Sequence, residues 1–349
     1  MQAAVLHTFG HTLSIEEVPR PVPGPDDVLI AVEACGVCHS DLHVAEGDQP
    51  ALQAITKPDL IPGHEVVGRV VERGANVTHL ALGERVGVAW NHSTCGICAP
   101  CLEGMENLCR RAVITGVMVD GGYADYMVAR ASHALPIPAT LSSEEAAPLF
   151  CAGLTVYRAL KRAGVAAGQQ VAVFGVGGLG HLAVQIARAW GAEVIALDLD
   201  AAKLVLAKEL GAAQVLNAGS ADDIKALRKA GGVHVAVVTS AARAAYDTAL
   251  KCLRPNGVLS VVGLPAEPLS FPALALVGLE ARIVASSVGT REDMRAVLQM
   301  AADGQLRCII DTQPLAEVNA VFERMRRGQI NGRVVLRCCG DAHAVGRAA

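Results

Sequence analysis

Residues 170–190 read QVAVFGVGGLGHLAVQIARAW, and this stretch decides the fold. The run 171–174 is short, apolar and rich in Val, as expected of a strand buried on both faces of a parallel sheet. Gly175-Val176-Gly177-Gly178-Leu179-Gly180 follows without a break, and residues 181–190 carry apolar residues at helical spacing. A strand, a G-x-G-x-x-G turn and a helix in that order form a dinucleotide-binding unit. Gly175 permits the tight turn, Gly177 lets the backbone approach a pyrophosphate, and Gly180 lets helix and strand pack closely. Gly178 and Leu179 complete the loop, and the helix start offers free N–H groups to phosphate oxygens. The next strand candidate, 193–197, ends at Asp198, eighteen residues past Gly180. A carboxylate there binds both hydroxyls of an adenosine ribose and repels a 2′-phosphate, which favours NAD over NADP. Asp200 is a neighbouring candidate two residues beyond the strand tip.

Working outward, buried runs at 214–217, 234–239, 258–262 and 282–286 alternate with helical patterns. Six such runs predict a doubly wound parallel sheet, so the chain is of the α/β class with a Rossmann domain. Upstream, residues 1–150 have a different texture. Short β-runs at 27–34, 65–72 and 85–89 are broken by Gly and Pro, and Pro19, Pro21, Pro23 and Pro25 punctuate the start. This reads as an irregular β-rich domain. Past residue 290 the pattern is mixed again: helices at 291–302 and 315–327, a strand at 332–336, and a loose tail at 340–349. At 349 residues the chain has room for two domains with cores of their own. Aromatics make up only 3%, so those cores must be aliphatic. Thirty Lys and Arg against 34 Asp and Glu, with no basic run, argue against nucleic acid as a partner. Residues 1–10 show no apolar leader, and no stretch is long and clean enough to span a membrane. The expectation is a cytoplasmic protein whose eleven cysteines bind metal in a reducing compartment.

Four of those cysteines lie in one loop. Cys95, Cys98, Cys101 and Cys109 have the spacing C-x2-C-x2-C-x7-C, with Gly96, Pro100 and Gly104 supplying bends. Zn2+ takes four soft ligands at about 2.3 Å, and thiolates two residues apart chelate one ion from a single turn. Four local thiolates leave no open position for water, which marks a closed structural site. The other readings are a pair of disulfides or four buried thiols.

A second set is dispersed. Cys35-Gly36-Val37-Cys38-His39 matches C-x-x-C-H, a haem attachment signal whose chemistry normally follows export. Gly63-His64-Glu65 offers an imidazole beside a carboxylate, and Cys151 stands alone among small residues. Cys38, His64 and Cys151 would make a Cys2His zinc set with one open position, the set known for alcohol oxidation. Spacing alone does not select this trio.

The segments GVCHSDLH (36–43), GHE (63–65), the four-cysteine loop, CAGLTVY (151–157), GVGGLG (175–180) and NGRVVL (331–336) resemble the zinc-dependent alcohol dehydrogenases of the medium-chain dehydrogenase/reductase superfamily, the tetrameric bacterial and yeast type in particular. The resemblance runs over about residues 1–338. It implies a GroES-like β-rich catalytic domain at 1–153, a Rossmann NAD-binding domain at 154–290, and a return to the catalytic domain at 291–349. The active site is then expected in the cleft between them. It also implies a homotetramer that binds NAD and two Zn2+ per chain, one catalytic and one structural, with a small alcohol or aldehyde as substrate.

Carried over by position, Cys38, His64 and Cys151 are the catalytic zinc ligands, and Glu65 the carboxylate behind them. Asp41 accepts a hydrogen bond from the other nitrogen of His64. Ser40 meets the alcohol and starts a proton relay that runs through the ribose hydroxyls to His43. His39 and Arg333 resemble pyrophosphate-binding cations, and Lys203 stands near the ribose beside Asp198. Val262, Gly263 and Leu264, with the backbone at Val288, support the nicotinamide. Trp90 lines the substrate pocket. The implied reaction is reversible oxidation of a primary alcohol: zinc lowers the alcohol's pKa, and the alkoxide releases hydride to NAD. Secondary-alcohol and polyol dehydrogenases of the same superfamily are the alternative, since motifs encode substrate class poorly. A non-catalytic zinc and nucleotide binder is a more remote one.

One position departs from the pattern. Where relatives commonly carry Trp after Gly-Asp, this chain reads Gly47-Asp48-Gln49-Pro50, and 50–60 looks a few residues longer. Losing that aromatic is expected to enlarge or polarise the alcohol pocket. His7, His11, His79, His133 and His343 read as surface or capping residues. Cys35, Cys252 and Cys308 read as small buried hydrophobes. Arg324, Arg326 and Arg327 read as charges on a helix dipole.

Overall fold

The computed structural model describes residues 1–338; Cys339 and the 340–349 tail lie outside the described residues. Two compact units divide the chain. One comprises residues 1–151, 290–302 and 308 onward; the other comprises 152–289 with 303–307.

The second unit is built on six parallel strands. Their spatial order is Gln214–Asn217, Glu193–Asp198, Gln170–Phe174, Val233–Val238, Leu253–Val261 and Arg282–Ala285. Numbered along the chain this is 3-2-1-4-5-6, the doubly wound order that leaves a crevice where the winding reverses. That reversal falls at the carboxyl end of Gln170–Phe174, where the glycine loop begins. Val171 to Phe174 are all buried, as the unbroken apolar run requires, and the helix Gly180–Ala189 is buried along nearly its whole length. Phe174, Leu197, Tyr246 and Leu259 centre the core. The fifth strand starts at Leu253, five residues before the sequence suggests. Leu253 pairs with Val233 and Val258 with Val235, so residues 254–257 form an unpaired bulge in which Asn256 takes the left-handed conformation at φ 60°.

Gly180 is required by packing. A Cβ there would lie 1.8 Å from the Gly175 carbonyl oxygen.

The first unit is organised by one long strand, Asp27–Val37, in a seven-stranded sheet. It pairs antiparallel with Glu65–Arg73, Tyr126–Arg130 and Arg333–Arg337. Ile310–Pro314 closes one edge, parallel to Arg333–Arg337. The register sets Gly36 opposite Glu65, so one strand leaves the sheet into Cys38 just where its neighbour enters from His64. Two residues far apart in sequence thus converge at one end of the sheet. Gly36 has to lack a side chain, because a Cβ would lie 1.9 Å from Glu65 Oε2. Val28, Ile30, Val66, Tyr123, Met127, Phe322 and Leu336 pack the core beneath. Among the described residues no helix is long and apolar enough to cross a membrane.

Replacing Gly180 with Ala should lower the stability of the dinucleotide unit by about 1–3 kcal/mol, because the loop must open to admit one methyl group. Chemical denaturation of the variant measures it, and an unchanged midpoint would contradict the close approach.

Candidate active site and structural metal lobe

Cys38 caps the helix His39–Glu46 with extended backbone (φ −115°, ψ 154°), so its thiol projects from the helix start. Asp41, in the first turn, folds back beneath it. Its Oδ2 accepts from the Cys38 N–H at 2.9 Å and from the Tyr123 hydroxyl at 2.8 Å; its Oδ1 accepts from His64 Nδ1 at 2.8 Å. Asp41 and His64 are each 1% exposed. With its proton held on Nδ1, His64 turns a lone pair outward on Nε2, a buried atom with no hydrogen-bond partner. Cys38 Sγ lies 3.8 Å from Cys151 Sγ and 3.7 Å from Ser40 Oγ.

Ligand atoms of Cys38, His64, Glu65 and Cys151 all lie within 4.8 Å of one another. The adjacent Cys151 thiol pulls Cys38 well below the ordinary thiol range, with His64 and Arg333 adding to it. Cys151 is pushed well above it, chiefly by Cys38 and by burial. Two thiols sharing one proton beside an orphaned imidazole nitrogen form a soft donor set that fits Zn2+. Behind them Glu65 is fully buried. Burial pushes its carboxyl up to about 7, against the pull of the Arg333 guanidinium, which is hydrogen-bonded to Glu65 Oε1. Glu65 Oε2 has no partner. Trp90 sets its edge against the His64 ring, centroids 4.9 Å apart at 88°.

The helix then carries the line outward. Ser40 is half-buried, and His43, one turn on, is also half-buried with Nδ1 2.8 Å from Asp48 Oδ2. Gln49 precedes the short helix Pro50–Gln53 at its N-cap position. His43, Glu46 and Asp48 also cluster, but Glu46 is held by Arg326 at 2.7 Å and Asp48 by His43. His39 is exposed. Arg333 is 4% exposed and committed to Glu65, so it stands in the wall of the metal pocket.

The cysteine loop folds as its spacing suggests. Gly96 and Gly104 adopt φ 71° and 72°, and the turn Ala99–Leu102 lies between them. The sulfur atoms of Cys95, Cys98, Cys101 and Cys109 all lie within 4.8 Å of one another, with no disulfide among them. The Ile97 N–H, with the Cys98 N–H and Arg111, pulls the Cys95 thiol down to about 5, whereas burial and the neighbouring thiols push Cys101 up to about 11. Four converging sulfurs fit a tetrahedral thiolate site. Beside the lobe, His133 corrects the surface reading. It is 7% exposed, with Nε2 3.1 Å from Thr94 Oγ1 and Nδ1 2.9 Å from Ser132 Oγ. Arg324 and Arg326 likewise do more than face a helix dipole: Arg324 pairs with Asp311, and Arg326 with Glu46 and Glu323.

In the other unit, the space where a Gly177 Cβ would stand has no atom within 4 Å, so the loop backbone is open to a ligand. Gly175 takes φ 92°, and Leu179 caps the helix that Gly180 begins; Gly178 lies between them in the open loop. Asp198 Oδ2 accepts from the Val176 N–H at 2.7 Å, which fixes the carboxylate beside the loop. Asp200 is occupied as the cap of the helix Ala201–Glu209, accepting from the Ala202 N–H, while Lys203 is half-buried on that helix. Val262, Gly263 and Leu264 follow the fifth strand, with the Gly263 carbonyl accepting from the Tyr246 hydroxyl. Val288 sits at φ 43°, strained for a β-branched residue.

Sequence reasoning missed Tyr123, Arg111 and Asp48 as supporting residues. For Tyr123 a signal existed: a buried Tyr needs a partner for its hydroxyl, and this chain has only four. Nothing local marks Arg111 or Asp48.

Two family models match the chain: an alcohol dehydrogenase GroES-like domain over residues 24–139 and a zinc-binding dehydrogenase domain over 178–303. An alcohol dehydrogenase of Geobacillus stearothermophilus is 49% identical over 338 residues, 97% of this chain and 99% of that protein. The crystal structure of the alcohol dehydrogenase of Aeropyrum pernix superposes with a TM-score of 0.89 at 35% identity, covering 97% of this chain and 100% of that one. An acetophenone reductase of Geotrichum candidum, in complex with NAD, gives 0.87 at 32% identity and 97% of each chain.

Changing Asp41 to Asn should weaken zinc binding at the adjacent pocket by about 10–100-fold, because an amide has one acceptor oxygen for three donors and turns its NH2 against either His64 Nδ1–H or the Cys38 N–H and Tyr123 hydroxyl. Competition with a chromophoric chelator reads this directly, and unaltered affinity would contradict it. His133 makes a separate prediction. Burial, helped by Arg291, pushes it from 6.5 down to about 4. The unfolded chain therefore takes up the proton first, so this contribution is full above about pH 6.5 and lost as pH falls toward 4. His133→Asn should lose less stability than the wild type between those pH values, as unfolding midpoints will show.

Proposed function

We propose a function from one premise: the chain belongs to the zinc-binding alcohol dehydrogenases of the medium-chain dehydrogenase/reductase superfamily. In this reading it oxidises primary alcohols reversibly to aldehydes with NAD. The observation that carries it is the buried trio Cys38, His64 and Cys151, with Asp41 holding the proton on His64 Nδ1.

Those three residues would hold a catalytic Zn2+, and the four-cysteine lobe would hold a structural one. When bound, the first would supply Lewis acidity toward an alcohol oxygen and the nicotinamide would supply a hydride acceptor. The chain does the rest. Asp41 keeps Nε2 of His64 free to ligate, and Arg333 holds Glu65 in place behind the ligands. Ser40 Oγ would accept the alcohol proton while passing its own hydroxyl proton on through the ribose hydroxyls toward His43. His43 lies three residues further along the same helix, hence on the same face. It takes the proton at Nε2, because Asp48 holds the proton at Nδ1. Being half-buried, the ring is placed to pass that proton on to solvent. Trp90 provides an apolar wall beside His64. Gly175, Gly177, Gly178, Leu179 and Gly180 receive the pyrophosphate, and Asp198 reads the ribose and disfavours NADP.

The resemblance to tetrameric relatives, together with an apolar surface on the second unit, supports a homotetramer. Leu274 and Val277 are 85% and 74% exposed on the helix Ala273–Leu279, close to the open edge strand Arg282–Ala285. Open edges of this kind call for cover.

Reduction of NAD+ across ethanol to hexanol, benzyl alcohol and isopropanol, with NADP+ in parallel, tests the reading. Primary alcohols with NAD+ should turn over fastest, with larger alcohols well accepted. Gln49→Trp should shift preference toward ethanol. Faster turnover of isopropanol would favour a secondary-alcohol enzyme, and a wild type that prefers ethanol over every larger alcohol would remove the role given to Gln49. Light scattering should return a mass of about four times the 36.1 kDa chain; a monomer would contradict the assembly.

A further inference from the structure

The amino end of the parallel sheet in the second unit carries a cavity that the proposed reaction does not use. Its volume is about 240 Å³, and its polar lining is Gln169, His234, Arg254, Asn256 and Arg282. No carboxylate lines it. Across the length of the strand Gln170–Phe174, about 16 Å at the usual rise, it faces away from the glycine loop.

The hydrogen bonding around His234 does not balance. The Gln170 N–H donates to Nδ1 at 3.1 Å, which places the proton of a neutral ring on Nε2. Nε2 in turn meets an N–H of Arg254 in direct contact. A neutral imidazole has one lone pair, and here two outside donors and its own N–H converge on it. Burial and Arg254 both lower the affinity of the ring for a second proton, which leaves it neutral in the free protein. Among the described residues neither Arg254 nor Arg282, both exposed, forms an ion pair, and the Arg282 side chain, at the start of the edge strand, forms no hydrogen bond. Two guanidinium groups and an imidazole N–H therefore line one small cavity that no carboxylate enters.

We propose that this cavity binds a phosphate-class oxyanion, whether free phosphate or the phosphate of a small phosphomonoester. One tetrahedral anion would accept from His234 Nε2–H, Arg254 and Arg282 together, turning a contact between donors into charge-assisted hydrogen bonds. It would tie Val233–Val238, Leu253–Val261 and Arg282–Ala285 together at their amino ends. The effect expected is on the stability of this unit, not on turnover.

The test uses zinc-loaded protein saturated with NADH, so that the glycine loop is already filled. Thermal midpoints are followed during titration with inorganic phosphate, with glucose 6-phosphate, and with chloride at matched ionic strength. Phosphate should raise the midpoint saturably while chloride does not. Arg254→Gln and Arg282→Gln should each weaken that response by about tenfold or more, with turnover of a primary alcohol unchanged. A stronger response to glucose 6-phosphate than to phosphate would identify the ester as the ligand, and the reverse would identify the free ion. A rise of equal size with chloride, or one that survives in both variants, would overturn the proposal.

Discussion

The Asp41 carboxylate is the fixed point of the candidate active site. It accepts three hydrogen bonds from three parts of the chain: the Cys38 N–H at the helix start, His64 Nδ1 at the head of a strand, and the Tyr123 hydroxyl from a loop. A buried carboxylate is costly unless fully bonded, so each donor is constrained in turn. Cys38 is locked as the cap, His64 is locked in one tautomer, and the loop bearing Tyr123 is held against the strand that bears Glu65. The open lone pair on His64 Nε2 is a consequence of this arrangement.

The backbone makes room for it by omission. Gly36 leaves space for Glu65, and Gly63, at φ 98°, leaves space for Tyr123, whose ring atom would lie 2.5 Å from a Cβ there. Glycine is required at both positions by close approach, and at Gly63 by φ as well. The sheet register that sets Gly36 opposite Glu65 is thus the scaffold for both the hydrogen bonds and the metal donors. The four-cysteine lobe needs no such support. Its ligands come from one loop, 95–109, that Gly96 and Gly104 bend at positive φ.

Legibility in the sequence follows this contrast. The lobe and the glycine loop are readable because their residues are contiguous and their geometry is local. The six strands of the second unit were visible as apolar runs; the fifth extends back to Leu253 across an unpaired bulge at 254–257, and its continuous pairing begins at Val258. The trio Cys38, His64 and Cys151 was not readable from spacing, because sheet register brings Cys38 to His64 and Cys151 arrives from the end of the turn Ala147–Phe150; resemblance supplied it. Tyr123, Arg111 and Asp48 act only through neighbours distant or unmarked in sequence. His133 looked like a surface residue because nothing in the sequence shows that Thr94 and Ser132 satisfy both of its nitrogens.

The account rests on two separate thiolate-rich metal sites, one local and one assembled by the fold. Zinc counted per chain in wild-type protein and in Cys151→Ser tests this most directly. The account predicts two ions in the wild type and one in the variant, with the remaining ion held by Cys95, Cys98, Cys101 and Cys109. A variant that keeps both ions, or a wild type that holds only one, would contradict it.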